Sequence, residues 1–420
     1  MNYPAGSAAA SLATTGFGPE NLPYGSFRVG RGKPRLGARL GDSVLDLAAL
    51  ATAVPGLEDD RLDAVTAPNL DRLLAAGASV WRAVRAWLVE AVLSPESAGA
   101  VAGAAINLAD VSLMLPFTPG DYVDYYASEH HATNIGAMFR PNEEALKPNW
   151  KHLPIGYHGR SGTVVVSGTD VRRPKGLLPP VPGSGEGAAA TPRFGACQRL
   201  DIECEMGFVV GGSAPHGEVS VRTAADEHLF GAFLFNDWSA RDIQNYEYVP
   251  LGPYLGKSFA SSVGAWVVPF DALRAAAMVE APERDYELAA YLDDGPDAGG
   301  PYGIDATMTV AVDGEIVSRP PYRLMYYTAP QMIAHMTVNG ASLRPGDMFG
   351  SGTVSGPEKN ERGSFIELSW GGKEPLQLAD GAEMVFLADG QTVTLGATAP
   401  GPDGSVIDFG ECVGKVLPST

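Results

Sequence analysis

The sequence predicts a mainly β protein of mixed architecture, with a small N-terminal region over residues 1–116 and a large strand-rich region over 117–420. Three observations carry that reading. The chain holds 51 glycines and 33 prolines in 420 residues, above the usual share, and so breaks often into turns. After residue 116 short apolar or alternating runs dominate, separated by Gly and Pro clusters. Helical periodicity is strong only over residues 69–93 and in a short run at Pro330–Met336.

Residues 1–18 read as a loosely packed tail. Tyr24–Val29 and Arg35–Leu40 are strand candidates, and Gly41-Asp42 before Ser43–Leu47 suggests a hairpin. Over 69–93, Leu70, Leu73 and Leu74 begin one apolar stripe, and Val80, Trp81, Val84, Trp87 and Leu88 continue another. Asn69 and Ser79 are the expected N-caps, and Ser94-Pro95 stops the pattern. These tryptophans are assigned to core. Further strands are expected at Thr163–Ser167, Cys204–Val210, Phe259–Val268, Thr307–Val312 and Phe365–Trp370. Pro330 suits a helix's first turn and Asn339-Gly340 its end. Pro179–Pro192 and Asp293–Gly303 read as surface loops.

The formal net charge of -19 excludes nucleic acid and anionic membrane surfaces as natural partners. Any site for a small anion must then be built from a few local cations. Cys197, Cys204 and Cys412 fit no zinc or redox spacing and are expected as buried free thiols of a reducing compartment. No apolar run approaches the length of a membrane span, and the N-terminus has no basic residue of a signal peptide. A soluble, cytoplasmic protein is expected.

The densest chemistry lies in Asp121–Arg140, DYVDYYASEHHATNIGAMFR. Asp124, Tyr126, His131 and Arg140 offer a metal ligand, a hydroxyl donor, a base and an anion clamp. Taken alone, the segment reads equally well as an aromatic loop. In DIECEM (201–206), Glu203 and Glu205 sit two apart and would share a strand face. Such a pair wants a hard cation or a proton between its members; a solvated edge strand is the competing reading. Asp237 ends an apolar run, and Arg241 and Gln244 are spaced for one face of a helix. Both, with Tyr248 and Lys257 beyond, are donors suited to an oxyanion, although a surface helix would carry the same residues. Glu367 is the lone charge in SFIELSW (364–370) and calls for a partner, of which a histidine is the natural one.

Together these segments resemble the fumarylacetoacetase family. The resemblance runs from about Asn21 to Pro418 and rests on HATNIGAMFR (131–140), LPIGYHGR (153–160), NDWSARDIQ (236–244), EYVPLGPYLGKSF (247–259), LRPGDM (343–348) and SGTVSG (351–356). It implies an N-terminal SH3-like β domain, a C-terminal mixed β-roll catalytic domain and a homodimer. It further implies hydrolysis of 4-fumarylacetoacetate, a small diketo acid, to fumarate and acetoacetate in tyrosine and phenylalanine breakdown. Ca²⁺ and/or Mg²⁺ would be the cofactor, with Asp124, Glu203, Glu205 and Asp237 as ligands and Asp237, Lys257 and Ser261 around a second ion. His131 matches the base that activates water, with Glu367 as its partner. Arg241, Gln244 and Lys257 match the oxyanion donors. Tyr126, Arg140, Tyr157, Arg241, Gln244, Tyr248 and Thr353 match the substrate contacts. Glu129 and His130 depart from the pattern and set a rival imidazole beside His131, but the following Ala132-Thr133-Asn134 favours His131. Acylpyruvate hydrolysis or oxaloacetate decarboxylation on the same fold is the alternative activity.

Overall fold

The computed structural model describes residues 3–180, 191–285 and 287–420. Among the described residues the large half is built on an eight-stranded and a five-stranded sheet with four two-stranded pairs beside them, and a further five-stranded sheet forms the N-terminal region. In the N-terminal sheet, Ala105–Asn107, Ser43–Asp46, Arg35–Leu40, Tyr24–Val29 and Val111–Met114 lie in that spatial order, all antiparallel. The hairpin anticipated between Arg35 and Leu47 forms, with Gly41 taking the positive φ of 58° that its tight turn requires. The structure is mainly β, with a small N-terminal sheet ahead of the larger half.

The apolar stripe of 69–93 folds as two helices, Asp71–Ala76 and Ala78–Leu93, broken at Gly77. Gly77 has φ 84°, which only glycine adopts cheaply, so the second helix starts there and Ser79 lies inside it rather than capping it. Asn69 does accept from the Asp71 amide. The helix faces inward as its spacing requires: Trp81 packs edge-on against Phe230, 5.2 Å between centroids, and its indole N–H donates to the Leu73 carbonyl. Each large apolar side chain so buried contributes about 1.5–3 kcal/mol.

The N-terminal segment is ordered, contrary to the tail expected there. Ser7 caps a short helix, Ala8–Leu12. Ala8 and Ala9 are small enough to be buried, and Phe17 lies under the Arg39 guanidinium at 3.4 Å. Alanine-rich composition hid this packing, because it lacks the bulky periodicity by which helices are read.

The large half is centred on an eight-stranded mixed sheet. Its order runs Gly156–His158, Tyr122–Tyr125, Met348–Gly350, Cys204–Val210, Leu229–Asp237, Ser261–Val263 and Val164–Val166, with Val268–Pro269 pairing beside Leu229–Asp237. Cys204–Val210 and Leu229–Asp237 are buried along their whole length, which explains their continuous apolar runs. A five-stranded sheet, Glu315–Ser318, Thr307–Val312, Thr392–Pro400, Val406–Leu417 and Val171–Arg172, lies behind it. The expected Phe259–Val268 strand is two shorter ones, interrupted at Gly264, whose missing side chain lets the backbone approach Leu234. Ala329–Thr337 is helical with a complete capping box from Thr328 and Gln331. Within the expected Asp293–Gly303 loop a single 3₁₀ turn forms at Pro296–Ala298. Most of the other expected loop, residues 181–190, lies outside the described residues.

Phe365–Trp370 is not a strand. Phe365–Leu368 forms one helical turn. Its first amides, those of Phe365 and Ile366, are taken by the carboxylate of Asp201, 164 residues earlier. A cap supplied by so distant a residue overrides the local alternation that suggested a strand.

Candidate active site

Four carboxylates meet at one end of the large sheet, and register puts them there. Asp124 lies on Tyr122–Tyr125, between Gly350 on one neighbouring strand and Tyr157 on the other. Glu203 and Glu205 flank Cys204 where that strand begins. Asp237 is the last residue of its strand and pairs with Ser261. All four are buried, and one oxygen of each lies within 4.8 Å of the others. Gly350 is part of the construction: a Cβ there would stand 2.4 Å from Oε2 of Glu205.

Charge balance in this cluster is incomplete. Lys257 Nζ donates to both Glu203 and Asp237, and Tyr157 and Ser261 donate to Asp237 at 3.3 and 3.1 Å. Arg241 spans Asp201 through Nε and Glu203 through Nη1, each at 2.8 Å. Glu205 accepts from the Gly352 amide at 3.0 Å. Asp124 Oδ1 and Glu205 Oε1 remain buried with no partner among the described residues. Burial first, then repulsion from neighbouring carboxylates, holds Asp124 and Glu205 well above the usual carboxylate range. Glu203 is also penalised by burial, but Lys257 and Arg241 more than offset it and hold its carboxyl low. Two cations thus face five carboxylates, Asp201 included. Orphaned oxygens with this deficit of positive charge fit a divalent, oxygen-liganded cation. Lys257 enters the cluster as a cation, its own charge kept high by Asp237 and Glu203 against the cost of burial.

A second group stands beside the first. Ser128 caps the helix Glu129–Phe139 and accepts the His131 amide. The imidazole Nδ1 of His131 lies 2.6 Å from Glu367 Oε2. Asn134 at 2.9 Å, Ser355 at 3.0 Å and Ser364 at 2.6 Å donate to the same carboxylate. Burial opposes the charge on Glu367, but His131 and these hydrogen bonds bring it to about 2. A carboxylate only accepts, so Nδ1 carries the proton and Nε2 is left as the basic nitrogen. The Tyr126 ring meets the imidazole edge-on, 5.2 Å between centroids. His130, its neighbour in sequence, is only half-buried.

Around these groups lie unspent polar atoms. Arg241 Nη2, Arg140 Nε and Thr353 Oγ1 are buried without partners among the described residues. Gln244 gives its amide oxygen to Arg241 at 3.3 Å, which leaves its NH₂ free to donate. Arg140 Nη2 is anchored on the Ala145 carbonyl. Tyr248 stands apart, 40% exposed where the helix Arg241–Glu247 ends.

Two models of known families cover nearly the whole chain. Fumarylacetoacetase N-terminal matches residues 20–116, and Fumarylacetoacetate (FAA) hydrolase C-terminal matches residues 122–417. The chain belongs to the fumarylacetoacetase family. The fumarylacetoacetases of Homo sapiens and Bos taurus are 44% and 43% identical to it over 413 residues, covering 95% of this chain and 96% of theirs. Among solved structures, a fumarylacetoacetate hydrolase from Exiguobacterium antarcticum superposes with a TM-score of 0.53 at 15% identity, covering 94% of this chain and 99% of that one, a likeness of fold.

Sequence reasoning about this fumarylacetoacetase-family chain missed Asp201, Asn134, Ser355 and Ser364. Asn134 carried a signal, since it falls three residues after His131 on the same helix face. Ser355 lies within the quoted SGTVSG motif. Asp201 could not have been singled out, because its partners at 241, 365 and 366 are assembled only by the fold.

Proposed function

We propose that this protein hydrolyses the carbon–carbon bond of 4-fumarylacetoacetate, giving fumarate and acetoacetate. The observation that carries the reading is the His131–Glu367 pair standing beside a buried, charge-deficient cluster of four carboxylates. His131 Nε2 accepts a proton from water, and Glu367 steadies the imidazolium that results. The hydroxide so formed adds to the carbonyl carbon of the fumaryl arm. The alkoxide faces the free Nη2 of Arg241, the Gln244 amide and Lys257, each such donor contributing about 2.7–4 kcal/mol to a transition state. The carbon–carbon bond then breaks, its electron pair leaves with the acetoacetate carbon, and the proton held by His131 is available to that carbon. Asp124, Glu203, Glu205 and Asp237 would hold a divalent cation, Ca²⁺ or Mg²⁺, which when bound would supply Lewis-acid charge to the substrate's diketone. Ser261 and Lys257 lie at the Asp237 side, where a second ion would sit.

Arg140 is assigned to holding the substrate's carboxylates, with the hydroxyls of Tyr126, Tyr157 and Thr353, and that of Tyr248 from the exposed end of its helix, as donors to its other oxygens. A local clamp is needed because a net charge of -19 repels a dianion at long range. No helix among the described residues is long and apolar enough to cross a membrane. Three buried free cysteines support a reducing setting, the cytoplasm, and family membership supports a homodimer. The test follows the ultraviolet absorbance of fumarylacetoacetate during incubation with the protein and identifies both products. Undiminished absorbance with metal-replete protein would exclude this activity.

A further inference from the structure

Among the described residues no hydrogen bond joins the His131–Glu367 pair to Arg241, yet one buried side chain is bonded both to Arg241 and to the turn that carries Glu367. Asp201 is fully buried, at the end of a two-residue strand that pairs with Ser239–Ala240, immediately before Arg241. Its Oδ2 accepts from Arg241 Nε at 2.8 Å and from the Ile366 amide at 3.1 Å. Its Oδ1 accepts from the Phe365 amide at 2.7 Å and from its own neighbour, Ile202, at 2.8 Å. Every lone-pair direction of the carboxylate is thereby used. The amides it takes are the first of the helical turn that carries Glu367, and Ser364, which would ordinarily cap that turn, makes no capping bond and spends its hydroxyl on Glu367. The guanidinium it takes is the one whose Nη2 is left free.

We propose that Asp201 is a positioning residue that sets Glu367, and through it His131, in fixed relation to Arg241. The inference rests on the reading of His131 as base and Arg241 as oxyanion donor. A carboxylate needed only to neutralise Arg241 would have no reason to cap a turn from a distant part of the chain. Conversely, a cap alone would need no charge, since an asparagine or serine serves as well. The combination is what fixes two elements to each other, and small displacements of catalytic groups carry large rate costs.

Asp201→Asn is the test, in the full-length, metal-replete protein. The amide keeps the shape but turns its NH₂ donor either toward Arg241 Nε and the Ile366 amide, in the place of Oδ2, or toward the Phe365 and Ile202 amides, in the place of Oδ1. We expect kcat to fall about 10–100-fold with KM changed much less and bound metal retained. In protein with ¹⁵N-labelled histidine, the low-field proton of the His131–Glu367 hydrogen bond should shift or broaden, although Asp201 touches neither residue. Should Asp201→Asn fail to fold, Arg241→Lys carries the same test, because lysine keeps the charge but cannot offer the guanidinium's fixed donor to Asp201. An unmoved proton resonance in whichever variant folds, or wild-type kcat in Asp201→Asn, overturns the proposal. His131→Ala separates the two claims: if it abolishes turnover while Asp201→Asn is silent, only the role of Asp201 is lost. If His131→Ala is fully active, the site reading falls and this proposal with it.

Discussion

His131 and Glu367, separated by 236 residues, meet through a 2.6 Å contact between Nδ1 and Oε2 that is almost wholly closed to solvent. The carboxylate holds the imidazole in one tautomer and orientation. Replacing Glu367 with glutamine should leave a folded protein whose kcat is lower by at least about tenfold, measured at saturating substrate. Wild-type turnover in Glu367→Gln would remove the pair from the mechanism.

Stability should report the same contact. Glu367 sits near 2 in the folded protein against an ordinary 4.5. A depressed value means the contribution is fully present above about pH 4.5 and fades as pH falls toward 2. The stability gap between wild type and Glu367→Gln, from urea unfolding, should therefore be widest near neutral pH and narrow below about pH 4.5. A gap that widens on acidification would contradict this sign.

The adjacent histidines should behave unequally. His131 is buried against Glu367, whereas His130 is only half-buried. His131→Ala should lose about 10²–10⁴ in turnover, and His130→Ala should keep a substantial fraction. The reverse ranking in steady-state assays would move the base to His130.

Metal removal should change how stability depends on pH. Asp124 and Glu205 are held well above the usual carboxylate range, so the metal-free folded state keeps protons that the unfolded chain has lost. Its melting temperature should fall as pH rises from weakly acidic to weakly basic. Adding Ca²⁺ or Mg²⁺ should release protons, raise the melting temperature and flatten that dependence. Melting curves indifferent to both ions across this range would rule out cation binding by the cluster.

Gly350 should be intolerant of a methyl group. A Cβ there would press on the Glu205 carboxylate at 2.4 Å and the Phe235 ring at 3.1 Å. Gly350→Ala should weaken Ca²⁺ or Mg²⁺ affinity by about 10–100-fold, read by isothermal titration. Unchanged affinity would mean that Glu205 is free to move aside or is not a ligand.

Where chemistry followed local pattern, the sequence was readable. Glu203 and Glu205 alternate about a strand start, Asp237 closes an apolar run, and Arg241 with Gln244 opens a helix, all as their spacing implies. Glu367 stands out in the sequence as the one charge among apolar residues, but the strand expected around it is a helical turn whose first amides are taken by Asp201 from outside. Asp201, Ser355 and Ser364 act by completing hydrogen bonds whose other ends lie elsewhere in the chain. Periodicity is silent about such residues. The ordered N-terminal helix escaped notice because alanines bury without leaving an apolar stripe.

The N-terminal sheet is joined to the large one by reciprocal backbone bonds between Tyr24 and Val267, at 2.9 and 2.8 Å. Beneath that seam Leu22, Trp81 and Leu88 share one apolar cluster with Phe233, Phe235 and Val263, on the strands that end at the carboxylates. Neither half is therefore a separable cassette. Cutting the chain between them would strip the underside of the catalytic sheet, and exchanging one half among relatives would require its mating surface to travel too. Calorimetry on the intact chain should record a single melting transition, and lesions far out in the first hundred residues should reach the catalytic centre as lost cooperativity.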